Sequence, residues 1–145
     1  MKKYLFSIIL CIITGVIMAK IMFNQYDTKA VSSTYPNTAY FFQVGVFSNV
    51  DNMNKEVNKY DSYIYINQDN KYYVYIGITN NKDKLKKYFD NLGYTTYVKQ
   101  LEIDPEFSQY LSEYDEKLQN TDNNIDIKNI NNDILKKYEE LNDKN

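Results

Sequence analysis

The chain has 145 residues, with 17 basic against 19 acidic residues and a net charge of −2. That length allows one small domain plus appendages, and the charge balance excludes a globally basic nucleic-acid binder. Histidine, arginine and tryptophan are absent and Cys11 is the only cysteine, which removes histidine-based nucleophilic catalysis, an intrachain disulfide and most zinc or transition-metal sites.

Lys2 and Lys3 precede an apolar run, residues 4–23, interrupted by Lys20 near its end. About 20 such residues span a bilayer, Lys20 can snorkel to the interface, and the leading lysines favour a cytoplasmic N-terminus. A cleaved signal peptide is disfavoured because Ile17 stands two residues before Ala19, where a small residue is required. Cys11 has no small residue before it, so lipoprotein processing is disfavoured too. Residues 1–23 are therefore expected to be a cytoplasmic start and transmembrane anchor, with the bulk of the chain extracytoplasmic at the cell membrane. Residues 24–39, with Ser, Thr and Pro and without clear periodicity, read as a linker. As a coil it would average roughly 20–25 Å end to end.

Residues 40–47 then form a strand, and Ser48 or Asn49 caps a helix whose Val50, Met53, Val57 and Tyr60 share one face. Residues 62–67 alternate as a second strand, 67–70 have turn composition, and 71–78 make a third strand, so these two are expected to form an antiparallel hairpin. Asn80 or Asn81 opens a second helix carrying Leu85, Phe89 and Leu92, Gly93 suits a left-handed C-cap, and 94–102 is a fourth strand. The expected fold is α+β, a ferredoxin-like β-α-β-β-α-β unit over residues 40–102, with a four-stranded antiparallel sheet and two helices on one face.

Strict alternation assigns Phe42, Val44, Val46, Ile64, Ile66, Val74, Ile76 and Ile78 to the core beneath those helices. The opposite face then holds Phe41, Gln43, Gly45, Tyr63, Tyr65, Tyr73, Tyr75 and Gly77, and is expected to be uncovered unless the C-terminal segment packs on it. Tyrosine combines an apolar ring with a hydroxyl, which matches the C–H face and hydroxyl rim of a sugar. The tyrosine total carries no weight, since Tyr, Asn, Lys and Ile all have AT-rich codons and all are abundant here. Stacking of nucleic-acid bases on such a sheet would need a basic surround, and none is present.

The segment Gln43-Val-Gly-Val-Phe-Ser48 and the segment Val74-Tyr-Ile-Gly77, behind a single apolar anchor, resemble the SPOR (sporulation-related repeat) family. The resemblance covers residues 40–102. It implies binding of peptidoglycan glycan strands, enriched at division septa where stem peptides are missing, with Gln43 and Ser48 at the positions that matter in the family. Two departures stand out: Tyr73 occupies a position often held by arginine, and Ile78 one often held by proline. Together these readings make Gln43, Ser48, Tyr63, Tyr65, Tyr73 and Tyr75 the candidate glycan-binding residues. They imply a role in cell division or sporulation without a catalytic centre, metal, cofactor or nucleic-acid partner.

Residues 103–145 form a helical tail. Asp104-Pro-Glu starts a helix with Phe107, Tyr110, Leu111, Tyr114 and Leu118 on one stripe, and after a break at 120–124 a second stripe holds Ile127, Ile130, Ile134, Tyr138 and Leu141. Two such helices can make a hairpin or coiled coil, pack back on the domain, or recruit a protein partner. The last possibility is the alternative function, a structural adaptor of the division or sporulation machinery.

Overall fold

The computed structural model describes residues 37–142, which lie within the second of two units of the chain, Pro36–Asn145. The expected anchor and residues 24–36 of the linker lie outside the described residues. Among the described residues no helix is long and apolar enough to cross a membrane.

The elements are β1 (Thr38–Phe47), α1 (Val50–Val57), β2 (Ile64–Gln68), β3 (Lys71–Thr79), α2 (Lys82–Asn91), β4 (Tyr97–Glu102), α3 (Pro105–Gln119) and α4 (Asn124–Asn142). Local chemistry sets their ends. Asn49, and not Ser48, caps α1, its side chain accepting from the Asp51 amide at 2.7 Å. Asn81 caps α2, and Asp104 caps α3 with Pro105 in the first turn. Gly93 follows the end of α2 with φ +75°, a conformation that other residues reach only with strain. Asp69 and Asn70 both take positive φ, 52° and 58°, which closes the β2–β3 hairpin in two residues.

The protein is thus α+β, with a four-stranded antiparallel sheet and four helices among the described residues. The strand order is β2-β3-β1-β4, so β1 and β3 are central.

Alternation fails at two places within that sheet. Between Phe41 and Gln43, β1 advances two residues while β3 advances three, from Ile78 to Tyr75; between Gln43 and Gly45, β1 advances two while β3 advances one. Each irregularity behaves as a β-bulge and reverses the facing of the residues beyond it. Ile78 therefore sits opposite Phe41, and Val46 opposite Tyr73, on the face where alternation placed tyrosines, Phe41, Gln43 and two glycines. Gly45 moves to the other face, opposite Val74, and Gly77 stands against Phe89 of α2. In β2 the whole assignment reverses. Ile64 pairs with Tyr75 and Ile66 with Tyr73, while Tyr65 pairs with Val74. Phe42, Val44, Val74 and Ile76 stay on the predicted core face, and Phe41, Gln43, Tyr73 and Tyr75 on the predicted opposite face.

Both faces are covered. Beneath α1 and α2, Met53 and Val57 meet Val74, and Leu85 and Phe89 meet Phe42 and Ile76. On the other face, Phe107 and Leu111 of α3 and Ile134 and Leu135 of α4 bury Phe41, Tyr75, Ile78 and Ile64. The expected open face is therefore closed by the C-terminal helices packing back, because bulged and reversed strands gave it a second set of large apolar side chains. The helix α4 also meets the edge of β3. Pairing with β2 stops at Tyr75, and just beyond it Asn131 donates from Nδ2 to the Ile76 carbonyl at 2.8 Å.

Since the tail contributes to a shared core, Leu111→Ala and Ile134→Ala should each cost about 2–5 kcal/mol. Chemical denaturation should show one cooperative transition moving as a whole, with no separate early loss of the helices.

Candidate binding surface

One row of side chains crosses all four strands on the Phe41 face. Ile64, Tyr75, Gln43 and Tyr97 are successive partners in the pairing from β2 to β4. Exposure grades along it, from 1% at Ile64 and 4% at Tyr75 through 8% at Gln43 to 64% at Tyr97. The next row toward the β2–β3 hairpin is Ile66, Tyr73 and Val46, the last 44% exposed. What the C-terminal helices leave open is thus one corner of the face, formed by Tyr97, Val46 and the half-buried Tyr73, with Gln43 at its floor.

The structure separates the six residues predicted from sequence. Gln43, Tyr73 and Tyr75 do share a face, but Tyr75 lies in the core. Its ring meets Phe41 edge-on at 5.3 Å, Phe41 meets Tyr138 at 5.4 Å, and Tyr138 meets Phe107 at 5.0 Å. Burial, then the neighbouring phenols of Tyr138 and Tyr73, raise the Tyr75 hydroxyl above its ordinary pKa, so it stays neutral. Tyr63 and Tyr65 are on the opposite face. Tyr63 packs at the α1 cluster, and Tyr65, half exposed, meets Tyr72 edge-on at 5.7 Å. Ser48 is exposed beyond the end of β1 and does not cap α1.

Tyr97 and Val46 were missed. Tyr97 shares parity with Lys99 and Leu101 in β4, a signal that alternation in that strand already contains. Val46 reaches the face only through the β1 bulge, which no sequence pattern announced.

The cover is held at one end by a buried carboxylate. Asp115 of α3 accepts from Thr79 Oγ1 at 2.5 Å and from the Asn80 amide at 2.6 Å, which ties α3 to the turn between β3 and α2. Thr79 Oγ1 in turn accepts from the Asn81 amide at 3.1 Å. With their apolar stripes committed to the sheet, α3 and α4 expose one large hydrophobic residue, Ile125. The stripes that motivated an adaptor role are thus used within the domain.

No family model matches this chain, and no curated protein or solved structure matches it.

Burial raises the Asp115 pKa, although the hydrogen bonds from Thr79 and Asn80 pull it down. The folded chain then holds this proton more tightly than the unfolded chain. The group's contribution to stability is full below about pH 4, the ordinary Asp value, and is lost as pH rises through the folded-state value. Denaturation midpoints followed from about pH 4 to about pH 7 should therefore fall for the wild type relative to Asp115→Asn. Asp115→Ala should cost about 1–3 kcal/mol, since it strands the Asn80 amide and leaves the Thr79 hydroxyl only the Asn81 carbonyl as acceptor.

Proposed function

We propose that this chain is a membrane-anchored, non-enzymatic binding protein whose β-α-β-β-α-β domain, ferredoxin-like in arrangement, holds peptidoglycan glycan strands at sites of cell division or sporulation. The support is positional. The Gln43-to-Ser48 segment lies in the central strand β1 up to Phe47, with Ser48 just beyond its end, and the Val74-to-Gly77 segment lies in its central neighbour β3. These are the segments that carry the SPOR resemblance.

The contact surface in this reading is the open corner, not the whole sheet. Tyr97 and Tyr73 supply aromatic rings, the exposed Val46 supplies apolar surface, and the Gln43 amide can donate and accept where its row meets the corner. A neutral aromatic corner suits a polar polymer whose recognition needs stacking and hydrogen bonding more than charge. Its small size suits one or two sugar rings, so affinity per domain would be low and membrane anchoring would supply the local concentration.

Co-sedimentation of the detergent-solubilised chain with sacculi tests this, with and without amidase treatment that strips stem peptides. Retention should rise on stripped glycan. Tyr97→Ala should abolish most of it with an unchanged melting temperature, and Gln43→Ala should weaken it. Tyr75→Ala should instead lower stability, by about 3–5 kcal/mol as for other large buried aromatics. Equal retention of the wild type and Tyr97→Ala would rule out the corner as the site, and no retention on either form of sacculus would rule out the function.

A further inference from the structure

The sheet ends in two edge strands of different character. The edge strand β4 carries Lys99 and Glu102, charges of the kind that keep edges from pairing. The other edge, β2, reads Ile-Tyr-Ile-Asn-Gln, with no charge, no proline and an unbroken register against β3. In a two-residue hairpin the flanking pair, Gln68 and Lys71, exchanges main-chain hydrogen bonds, and so do Ile66 with Tyr73 and Ile64 with Tyr75. The main-chain groups of Tyr65 and Asn67 therefore point outward. Among the described residues no strand pairs with them. Beside this edge lies a groove of ≈ 390 Å³ lined by Ile64, Tyr65, Ile66, Tyr138, Glu139 and Asn142.

We propose that β2 pairs antiparallel with β2 of a second copy of this chain, about a two-fold axis at Ile66, joining two four-stranded sheets into one. That register gives the five-residue strand its fullest overlap. Tyr65 exchanges both main-chain hydrogen bonds with the partner's Asn67, and Asn67 does the same with the partner's Tyr65. Ile66 meets the partner's Ile66 across the axis, and Gln68 lies beside the partner's Ile64, over the mouth of its groove. An uncharged strand brings no like charges together when it meets itself. Lys71 shares the face and row of Gln68 and so approaches the rim of the other copy's groove, where Glu139 stands with the opposite charge. By symmetry this happens twice. The pairing does not rest on the glycan reading, since it uses outward main-chain groups of β2 and none of the corner residues Gln43, Val46, Tyr73 and Tyr97.

The test uses the full chain in detergent micelles, in a Cys11→Ser background that leaves no other thiol. Ile66→Cys places one sulfur on each side of the axis in a close, non-hydrogen-bonded pair, a spacing a disulfide can bridge. Mild oxidation should convert it to a covalent dimer, while Gln100→Cys on the charged β4 edge stays monomeric. Adding Asn67→Pro removes only an outward N–H and no bond to β3, and should keep the melting temperature and abolish cross-linking. Tyr65→Pro, which also gives up the ring contact with Tyr72, should lower the melting temperature somewhat and abolish cross-linking too. Ile66→Cys cross-linking no faster than Gln100→Cys would overturn the proposal, as would cross-linking that survives either proline in a folded chain.

Discussion

The docking of α3 and α4 on the Phe41 face is the contact on which the rest of this domain depends. A four-stranded sheet with large apolar side chains on both faces needs a cover on each. The helices α1 and α2 supply one. Without the C-terminal pair, Phe41, Tyr75, Ile78 and Ile64 would face water, each forgoing about 1.5–3 kcal/mol of burial. Two polar attachments fix where the pair sits. Asp115 grips the turn after β3, and Asn131 satisfies the Ile76 carbonyl where β2 no longer reaches. Both use side chains to complete backbone hydrogen bonds at the same end of β3, so the cover is aligned by the sheet's own irregularity.

That cover decides what the sheet can offer a ligand. A bare face would present a broad aromatic surface. The covered one keeps only the corner beyond the reach of the helices, where β1 and β4 run past them. The exposure gradient from Ile64 to Tyr97 is the physical trace of this boundary. Recognition there rests on a few groups at the margin of a rigid core, so the residues that bind and those that stabilise are neighbours in one row. Tyr97 can be truncated without opening the core, whereas Tyr75, two strands away in the same row, cannot.

The tyrosines on the other face have a different role. Tyr60 meets Tyr94 edge-on at 5.0 Å, and Tyr65 meets Tyr72 at 5.7 Å. These pairs close the margins of the α1 and α2 layer with amphipathic side chains that tolerate partial exposure. A tyrosine on an alternating strand is thus equally compatible with a binding face and with the rim of a core. The reversal of β2 turned Tyr63 and Tyr65 from the first into the second.

Local order was legible in the sequence. Six of the elements follow from hydrophobic period and from caps that act over two or three residues, as Asn49, Asn81 and Gly93 do. The two tail helices and their stripes were equally plain, for the same reason. What the sequence left open was every choice that depends on partners distant along the chain. Nothing local says that β3 gains a residue opposite Phe41–Gln43, that β1 gains one opposite Tyr75–Val74, or that the turn at Asp69–Asn70 sets β2 with its isoleucines toward Tyr73 and Tyr75. A strand's period is two, so each single-residue shift sends side chains to the other face. The tail's destination was open for the same reason. Its stripe suits any apolar surface, and only the assembled Phe41 face made the sheet that surface.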